Sequence, residues 1–220
     1  PPRSTLFPYT TLFRSLAELV QEAGYPAGVF NVVTGLGHVA GAALSSHPGI
    51  DKLAFTGSTE IGKLVGKAAL DNMTRISLEL GGKNPMIVLD DADVDAVAAG
   101  AAHGIFFNSG QVCTAGSRLF VHKKKFDQVV EGLSNIAAGM KVGAGLDPDT
   151  QLGPLVSAVQ QERVMGYIRS GFEEGARAAV GGEAGEGGGY FVKPTVLVDA
   201  RDDMRVVREE IFGPVVVAMP

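Results

Sequence analysis

Residues 52–63 read KLAFTGSTEIGK, and this stretch decides the fold class. It predicts a strand over residues 52–56 and a glycine turn at Gly57 that opens a helix ending near Leu70. Residues 75–80 then predict a second strand. Because a strand–helix–strand unit joins parallel neighbours, the two strands are expected to pair in parallel.

The preceding segment repeats this pattern in a shorter form. Residues 16–23 read as the end of a helix that Gly24 closes. The apolar run at 29–33 predicts a strand, and glycines after it lead into a small-residue helix over residues 39–44. Two such units in succession predict an α/β fold with a parallel sheet.

A second α/β region begins near Gly81. Its predicted strands are 85–89 and 117–122, and its predicted helices are 94–107, 126–140 and 157–174. Acidic residues at 90–93 are expected to cap the first of these helices. The glycine-rich run 181–189 predicts a flexible hairpin or loop. The chain stops inside a predicted strand at 215–217, so its ladder partners are expected to be unmade.

The composition excludes several classes of function. The 24 acidic residues outnumber the 19 basic ones, and Lys123–Lys125 is the only basic cluster, so nucleic acid is not expected as a partner. No apolar run reaches the roughly 18–20 residues of a membrane span. The single cysteine, Cys113, excludes an internal disulfide framework and a cysteine metal cage, and the four histidines lack ligand spacing. We expect a soluble cytoplasmic protein without a metal site, with residues 199–208 exposed.

The first fifteen residues, PPRSTLFPYTTLFRS, do not match the remainder of the chain. They lack a helical period and resemble a translated sequencing adapter. We therefore expect residues 1–15 to be a non-native leader that carries no information about the fold. The alternative is a disordered native tail.

The glycine turn at 57–62 also resembles a phosphate-binding loop. Gly57-x-x-x-x-Gly62-Lys63 matches the P-loop pattern, but Leu64 stands where Ser or Thr must bind Mg²⁺. A helix N-terminus still offers free N–H groups to a phosphate, and Ser58 suits either a cap or such a contact. An alternative hypothesis is therefore a nucleotide-binding module with a degenerate P-loop and no redox chemistry. The looser run Gly35-x-Gly37-x-x-x-Gly41 favours tight packing over cofactor binding.

Two residues outside these turns could carry chemistry. Cys113 lies in NSGQVCTAG, residues 108–116, whose small and polar neighbours suit a reachable thiolate, although a lone cysteine is usually a buried apolar residue. Glu79 lies in LELGGK, residues 78–83, at the end of an apolar strand. Its carboxylate is either paired with a neighbour such as Lys83 or held for acid–base work.

Taken together, these segments resemble the NAD(P)-dependent aldehyde dehydrogenase superfamily. The matching stretches are FTGSTEIG (55–62), LELGGK (78–83), GQVC (110–113) and EEIFGP (209–214), and they occur in the family's order. The resemblance runs from about Leu16 to Pro220. It implies an aldehyde dehydrogenase-like fold: residues 16–80 from the C-terminal half of a Rossmann-type dinucleotide-binding domain, and residues 81–220 from a truncated α/β catalytic domain.

The resemblance implies an oxidoreductase that converts an aldehyde to a carboxylic acid with NAD or NADP. Cys113 would be the nucleophile, passing through a thiohemiacetal and a thioester, and its backbone N–H would contact the oxyanion. Glu79 would be the general base that activates water. The implied cofactor-binding residues are Gly37, Gly41, Gly57, Ser58, Thr59, Gly62, Leu80, Glu210 and Phe212.

The sequence also departs from the family pattern. The asparagine that donates to the oxyanion and the lysine that contacts the adenosine ribose have no counterpart within these 220 residues. We therefore expect this polypeptide by itself to be inactive, an internal fragment of an enzyme that forms a homodimer or homotetramer. Aliphatic, aromatic and betaine-type aldehydes all stay open as substrates, with a lean toward the broad-specificity branch.

Overall fold

A computed structural model describes residues 8–220 of the chain. The chain divides into two compact units, one ending at Leu80 and the other spanning Gly81–Pro220. Residues 1–7 of the predicted leader lie outside the described residues. The first helix begins at Pro8, so residues 8–15 are helical where no helical pattern was expected. Proline is tolerated at the first helical position because its missing N–H would have no partner there.

The first unit contains one strand–helix–strand element. Its elements are α1 (Pro8–Glu22), a π-helical turn (Gly37–Gly41), α2 (Ala42–Ser45), β1 (Lys52–Gly57), α3 (Thr59–Asp71) and β2 (Arg75–Leu80). Strands β1 and β2 pair in parallel, from Lys52 opposite Arg75 to Gly57 opposite Leu80. The α/β unit predicted from residues 52–80 is therefore confirmed.

The predicted strand at residues 29–33 is wrong. This stretch has irregular backbone, and Val29 and Val33 are 64% and 83% exposed. A strand is stable only when a neighbouring strand satisfies its N–H and C=O groups. In the described part of the chain β1 pairs with β2 alone, and residues 29–33 pair with neither of them.

The second unit is built on a five-stranded sheet. Its elements are β3 (Asn84–Val88), α4 (Val94–Phe106), a 3₁₀ turn (Phe107–Gly110), β4 (Gly116–Val121), α5 (Phe126–Gly139), α6 (Ala158–Glu173), β5 (Arg177–Val180), β6 (Thr195–Val198), α7 (Arg205–Arg208) and β7 (Val215–Met219). The strand order is β3-β4-β7-β6-β5, and only β5 is antiparallel to its neighbour.

Strand β7 lies at the centre of this sheet, which corrects the expectation of unmade ladder partners. It pairs in parallel with β4 on one side and β6 on the other, and all five of its residues are buried. Val216 contributes to the cluster formed with α4 and α5, while Val215 and Val217 contribute to the cluster on the α6 side. Successive side chains of a strand point to opposite faces, so the sheet is covered on both sides.

The remaining local predictions are mostly confirmed. The Asp93 carboxylate accepts a hydrogen bond from the Ala96 N–H at 2.8 Å and caps α4 as expected.

Residues 199–208 are only partly exposed: their charged residues face solvent, but Met204, Val206 and Val207 are buried in the core on the α6 side. Among the described residues, no helix has the length and apolar character needed to cross a membrane.

Candidate active site

The carboxyl edge of the β1–β2 sheet brings several predicted site residues together. Gly57 lies opposite Leu80, and Thr56 lies opposite Glu79, whose side chain is exposed. Between β1 and α3 stands Ser58, whose Oγ accepts a hydrogen bond from the Ile61 N–H at 3.3 Å. Ser58 is therefore the N-cap of α3, whose first N–H groups have no partner within the helix itself.

The backbone between β1 and α3 is too short for a P-loop. Helix α3 begins at Thr59, which is exposed, so the residues that would wrap a phosphate are already helical. Gly62 lies in the first turns of this helix, where an added Cβ would come within 2.5 Å of Leu80 Cδ2. Gly62 thus allows α3 to pack closely on β2, and the degenerate P-loop hypothesis loses its geometric basis.

Gly37 and Gly41 begin and end the π-helical turn. A Cβ added at either residue would meet no heavy atom within 4 Å. Close packing within the described chain therefore does not explain these two glycines, although packing was the favoured interpretation of their spacing.

Cys113 lies on an exposed turn that enters β4. The Ala115 N–H donates to the Val112 carbonyl at 3.0 Å, which closes the turn around Cys113 and Thr114. From the first residue of β3, the Asn84 Nδ2 donates to the Cys113 carbonyl at 2.8 Å. The thiol is thus accessible on a backbone that hydrogen bonds hold in place, which fits the reachable rather than the buried interpretation of the lone cysteine.

The backbone before this turn has a left-handed conformation at three consecutive residues. The φ angles of Asn108, Ser109 and Gly110 are 50°, 56° and 70°. The buried Ser109 hydroxyl donates to the Gly153 carbonyl at 2.8 Å, and a Cβ at Gly110 would lie 2.0 Å from the Gly213 carbonyl oxygen. Such a run persists only where its surroundings fix it, so the loop that carries Cys113 is constrained by tertiary contacts.

The two remaining motifs meet within the second unit. The Gly82 N–H donates to Glu210 Oε1 at 3.3 Å, and a Cβ at Gly81 would lie 2.1 Å from both carboxylate oxygens of Glu210. Phe212 has a φ of 58°, and its carbonyl accepts a hydrogen bond from Gln160 Nε2 at 2.8 Å. A cavity of about 10 Å³ is lined by Gly82, Val112, Glu210 and Phe212 among others.

Lys83 is the most perturbed group of this region. Its Nζ is buried and has no hydrogen-bond partner among the described residues. The pKa of Lys83 is lowered from 10.5 to about 7, mainly by burial and also by the nearby Arg118 guanidinium, while the Glu210 carboxylate opposes the shift. Arg118 also donates to the Lys83 carbonyl at 2.5 Å.

Sequence reasoning missed the supporting residues Asn84, Ser109 and Arg118. None of them has a distinctive pattern of neighbours, and their partners are 29 or more positions away in the chain. For Asn84 alone there was a weak signal, since a polar residue at the start of a predicted strand often bonds to the adjoining loop.

Comparison with known proteins places this chain in a family. The profile of the "Aldehyde dehydrogenase family" matches residues 4–220. The chain is 51% identical over 207 residues to the phenylacetaldehyde dehydrogenase of Pseudomonas fluorescens, covering 93% of this chain and 41% of that protein. It is 49% identical over 209 residues to retinaldehyde dehydrogenase 3 of Homo sapiens, with 94% and 40% covered.

Solved structures agree with these sequence matches. An NAD⁺ complex of aldehyde dehydrogenase from Bacillus cereus superposes with a TM-score of 0.92 at 52% identity, covering 94% of this chain and 42% of that one. Betaine aldehyde dehydrogenase from Staphylococcus aureus, in complex with NAD⁺, gives 0.90 at 40% identity, with 93% and 42% covered. The chain thus spans about two fifths of the length of the relatives it matches. The mixed α/β fold with parallel sheets and the matches over nearly the whole chain show that this protein belongs to the aldehyde dehydrogenase family.

Proposed function

We propose that this chain is part of an enzyme that oxidises an aldehyde to a carboxylic acid with NAD⁺ or NADP⁺. The observation that carries the proposal is Cys113, an exposed thiol on a hydrogen-bonded turn in a chain that the family profile matches over residues 4–220. The units ending at Leu80 and beginning at Gly81 would be parts of the cofactor and catalytic domains, respectively.

In this proposal Cys113 is the nucleophile. Its thiolate attacks the aldehyde carbon, a C–S bond forms, and the carbonyl oxygen becomes the oxyanion of a thiohemiacetal. The backbone N–H of Cys113 donates to that oxyanion. Loss of a hydride from the same carbon leaves a thioester on Cys113, and the bound nicotinamide supplies the acceptor for this hydride.

Glu79 is the proposed general base. Its carboxylate stands at the carboxyl edge of β2, is exposed to solvent, and therefore has access to water. It takes a proton from the attacking water, which adds to the thioester; the C–S bond then breaks and releases the acid and the thiolate. Water supplies the oxygen atom gained by the product.

The residues present fit a dinucleotide. In α/β proteins a pyrophosphate binds where a glycine turn at the carboxyl edge of a parallel sheet leads into a helix N-terminus with free N–H groups. The segment from β1 to α3 has this arrangement. The Glu210 carboxylate, fixed against Gly82, offers acceptors to ribose hydroxyls, and Phe212 offers an apolar ring. The residues that would hold the cofactor are Gly37, Gly41, Gly57, Ser58, Thr59, Gly62, Leu80, Glu210 and Phe212.

Several further features belong to the same proposal. The NAD⁺ complexes of the structural relatives support a nicotinamide cofactor, and either NAD⁺ or NADP⁺ is compatible with the residues described. The names of the relatives include aromatic, retinoid and betaine aldehydes, so the substrate is proposed only as an aldehyde. We also propose that the enzyme is a cytoplasmic homodimer or homotetramer and that the isolated chain is inactive.

The test is a chimera in which residues 16–220 replace the matching segment of the Pseudomonas fluorescens relative. With phenylacetaldehyde and NAD⁺ it should produce NADH, and Cys113→Ala should abolish this activity. Glu79→Gln should retain a burst of NADH but slow the turnover, because thioester formation precedes hydrolysis. Turnover by the Cys113→Ala chimera at the level of the unsubstituted one would overturn the assignment of the nucleophile.

A further inference from the structure

Asn84 links the start of β3 to the turn that carries Cys113. Its Nδ2 donates to the Cys113 carbonyl at 2.8 Å and also approaches the Ala115 carbonyl at 3.4 Å. Its Cα lies opposite Gly116 at the start of β4, and the strand register shifts immediately afterwards, between Asn84 and Pro85. The Asn84 side chain lies beside the turn that carries Cys113.

The hydrogen bond from Asn84 to the Cys113 carbonyl restrains the backbone of the turn. The Ala115 N–H closes the turn onto Val112, so the peptide joining Cys113 to Thr114 is its central one. The carbonyl of that peptide lies outside the turn's own hydrogen bond and could tilt toward water. A donor on a neighbouring strand fixes this carbonyl, and with it the ψ angle of Cys113.

The geometry points to Asn84 as a positioning residue that locks the Cys113–Thr114 peptide and so fixes how the thiol is presented. This inference rests on the proposed role of Cys113 as nucleophile. An amide is well suited to the position because it supplies two N–H donors. An aspartate of the same shape would instead turn carboxylate oxygens toward the Cys113 and Ala115 carbonyl oxygens.

The test uses the 220-residue chain labelled with [1-¹³C]cysteine. Because the chain has one cysteine, the label gives a single carbonyl resonance, that of Cys113. The variants are Asn84→Ala, Asn84→Ser and Asn84→Asp. The matched control is Asn72→Ala, which removes another side-chain amide that donates to a backbone carbonyl, that of Ser46, at 2.8 Å.

We expect Asn84→Ala to shift and broaden this resonance and to speed hydrogen exchange at the Ala115 amide about fivefold, as expected for loss of one hydrogen bond of ordinary net strength. Asn84→Asp should have a larger effect and Asn84→Ser a smaller one, since its hydroxyl can still donate. Asn72→Ala should change neither quantity. An unchanged resonance and exchange rate in both Asn84→Ala and Asn84→Asp would overturn the inference.

A separate measurement keeps the two proposals apart. Iodoacetamide should alkylate Cys113 of the wild-type chain without denaturant. If alkylation needs denaturant, the proposed nucleophile fails, while the carbonyl resonance still reports whether Asn84 holds the turn. If circular dichroism shows that Asn84→Ala does not fold, Asn84→Ser is compared with the wild type instead. The chemical shift of its Cys113 carbonyl must then differ from that of the wild type.

Discussion

Burial of Lys83 predicts that this protein becomes more stable as the pH rises above neutrality. The pKa of Lys83 falls from 10.5 in the unfolded chain to about 7 in the fold, because its ammonium is buried without a hydrogen-bond partner among the described residues. The unfolded chain therefore binds more protons than the folded one between these two values, and stability rises with pH across that window.

The size of the effect is set by the two pKa values. Each pH unit between them corresponds to about 1.4 kcal/mol, so protonated Lys83 costs the fold about 5 kcal/mol below pH 7. Between pH 7 and pH 9 the free energy of unfolding should rise by about 2 kcal/mol from this group alone. Lys83→Met keeps an unbranched apolar stem and removes the titrating ammonium, so it should abolish this increment.

The assay is urea unfolding followed by far-ultraviolet circular dichroism at pH 7 and pH 9. The control is Lys124→Met in the same unit, where the lysine side chain is 76% exposed and lies 3.8 Å from Asp90. The control should show the pH dependence of the wild type, whereas Lys83→Met should show a dependence about 2 kcal/mol smaller. An equal pH dependence in the wild type and Lys83→Met would refute the reasoning.

Two further pairs of substitutions test the packing around the Cys113 loop and the capping of α4. Gly110→Ala should lower the free energy of unfolding by about 3 kcal/mol, because φ is +70° and the new Cβ would meet the Gly213 carbonyl oxygen. Gly100→Ala, in the open middle of α4, should instead raise it by up to about 1 kcal/mol; equal effects of both alanines would contradict the packing argument. Asp93→Ala should cost about 1 kcal/mol by removing the cap on the Ala96 N–H, and Asp93→Asn should recover most of it. The stabilities of all four variants are measured by urea unfolding.

Local patterns predicted those elements whose causes are local. Ser58 caps α3 and Asp93 caps α4 because each side chain reaches an N–H three residues ahead, a distance that sequence spacing specifies. The strand expected at 29–33 failed for the opposite reason, since a strand depends on a partner that local composition does not reveal. Residues 199–208 mix charged and apolar side chains, and only docking against α6 buries Val206 and Val207.

In the candidate site, too, some features could be predicted from the sequence and others depend on contacts between distant segments. The motifs around Gly57, Glu79, Cys113 and Glu210 were visible because residue types and order suffice to recognise them. The sequence did not reveal how the loop that carries Cys113 is held. Asn84 bonds to the turn at Cys113, and the backbone before it has a left-handed conformation that ends at Gly110.

The sequence by itself determined the α/β class, the order of the motifs and the resemblance to the aldehyde dehydrogenases. These depend on periodicity, turn chemistry and short spacings, all of which are local. Only the tertiary structure decided that β7 is the central strand, that the Lys83 Nζ is buried, and that Gly82 contacts Glu210 across 128 positions of the chain. Burial and the hydrogen bonds of the site arise where distant segments meet, and their free energies belong to that packing rather than to any one stretch of sequence.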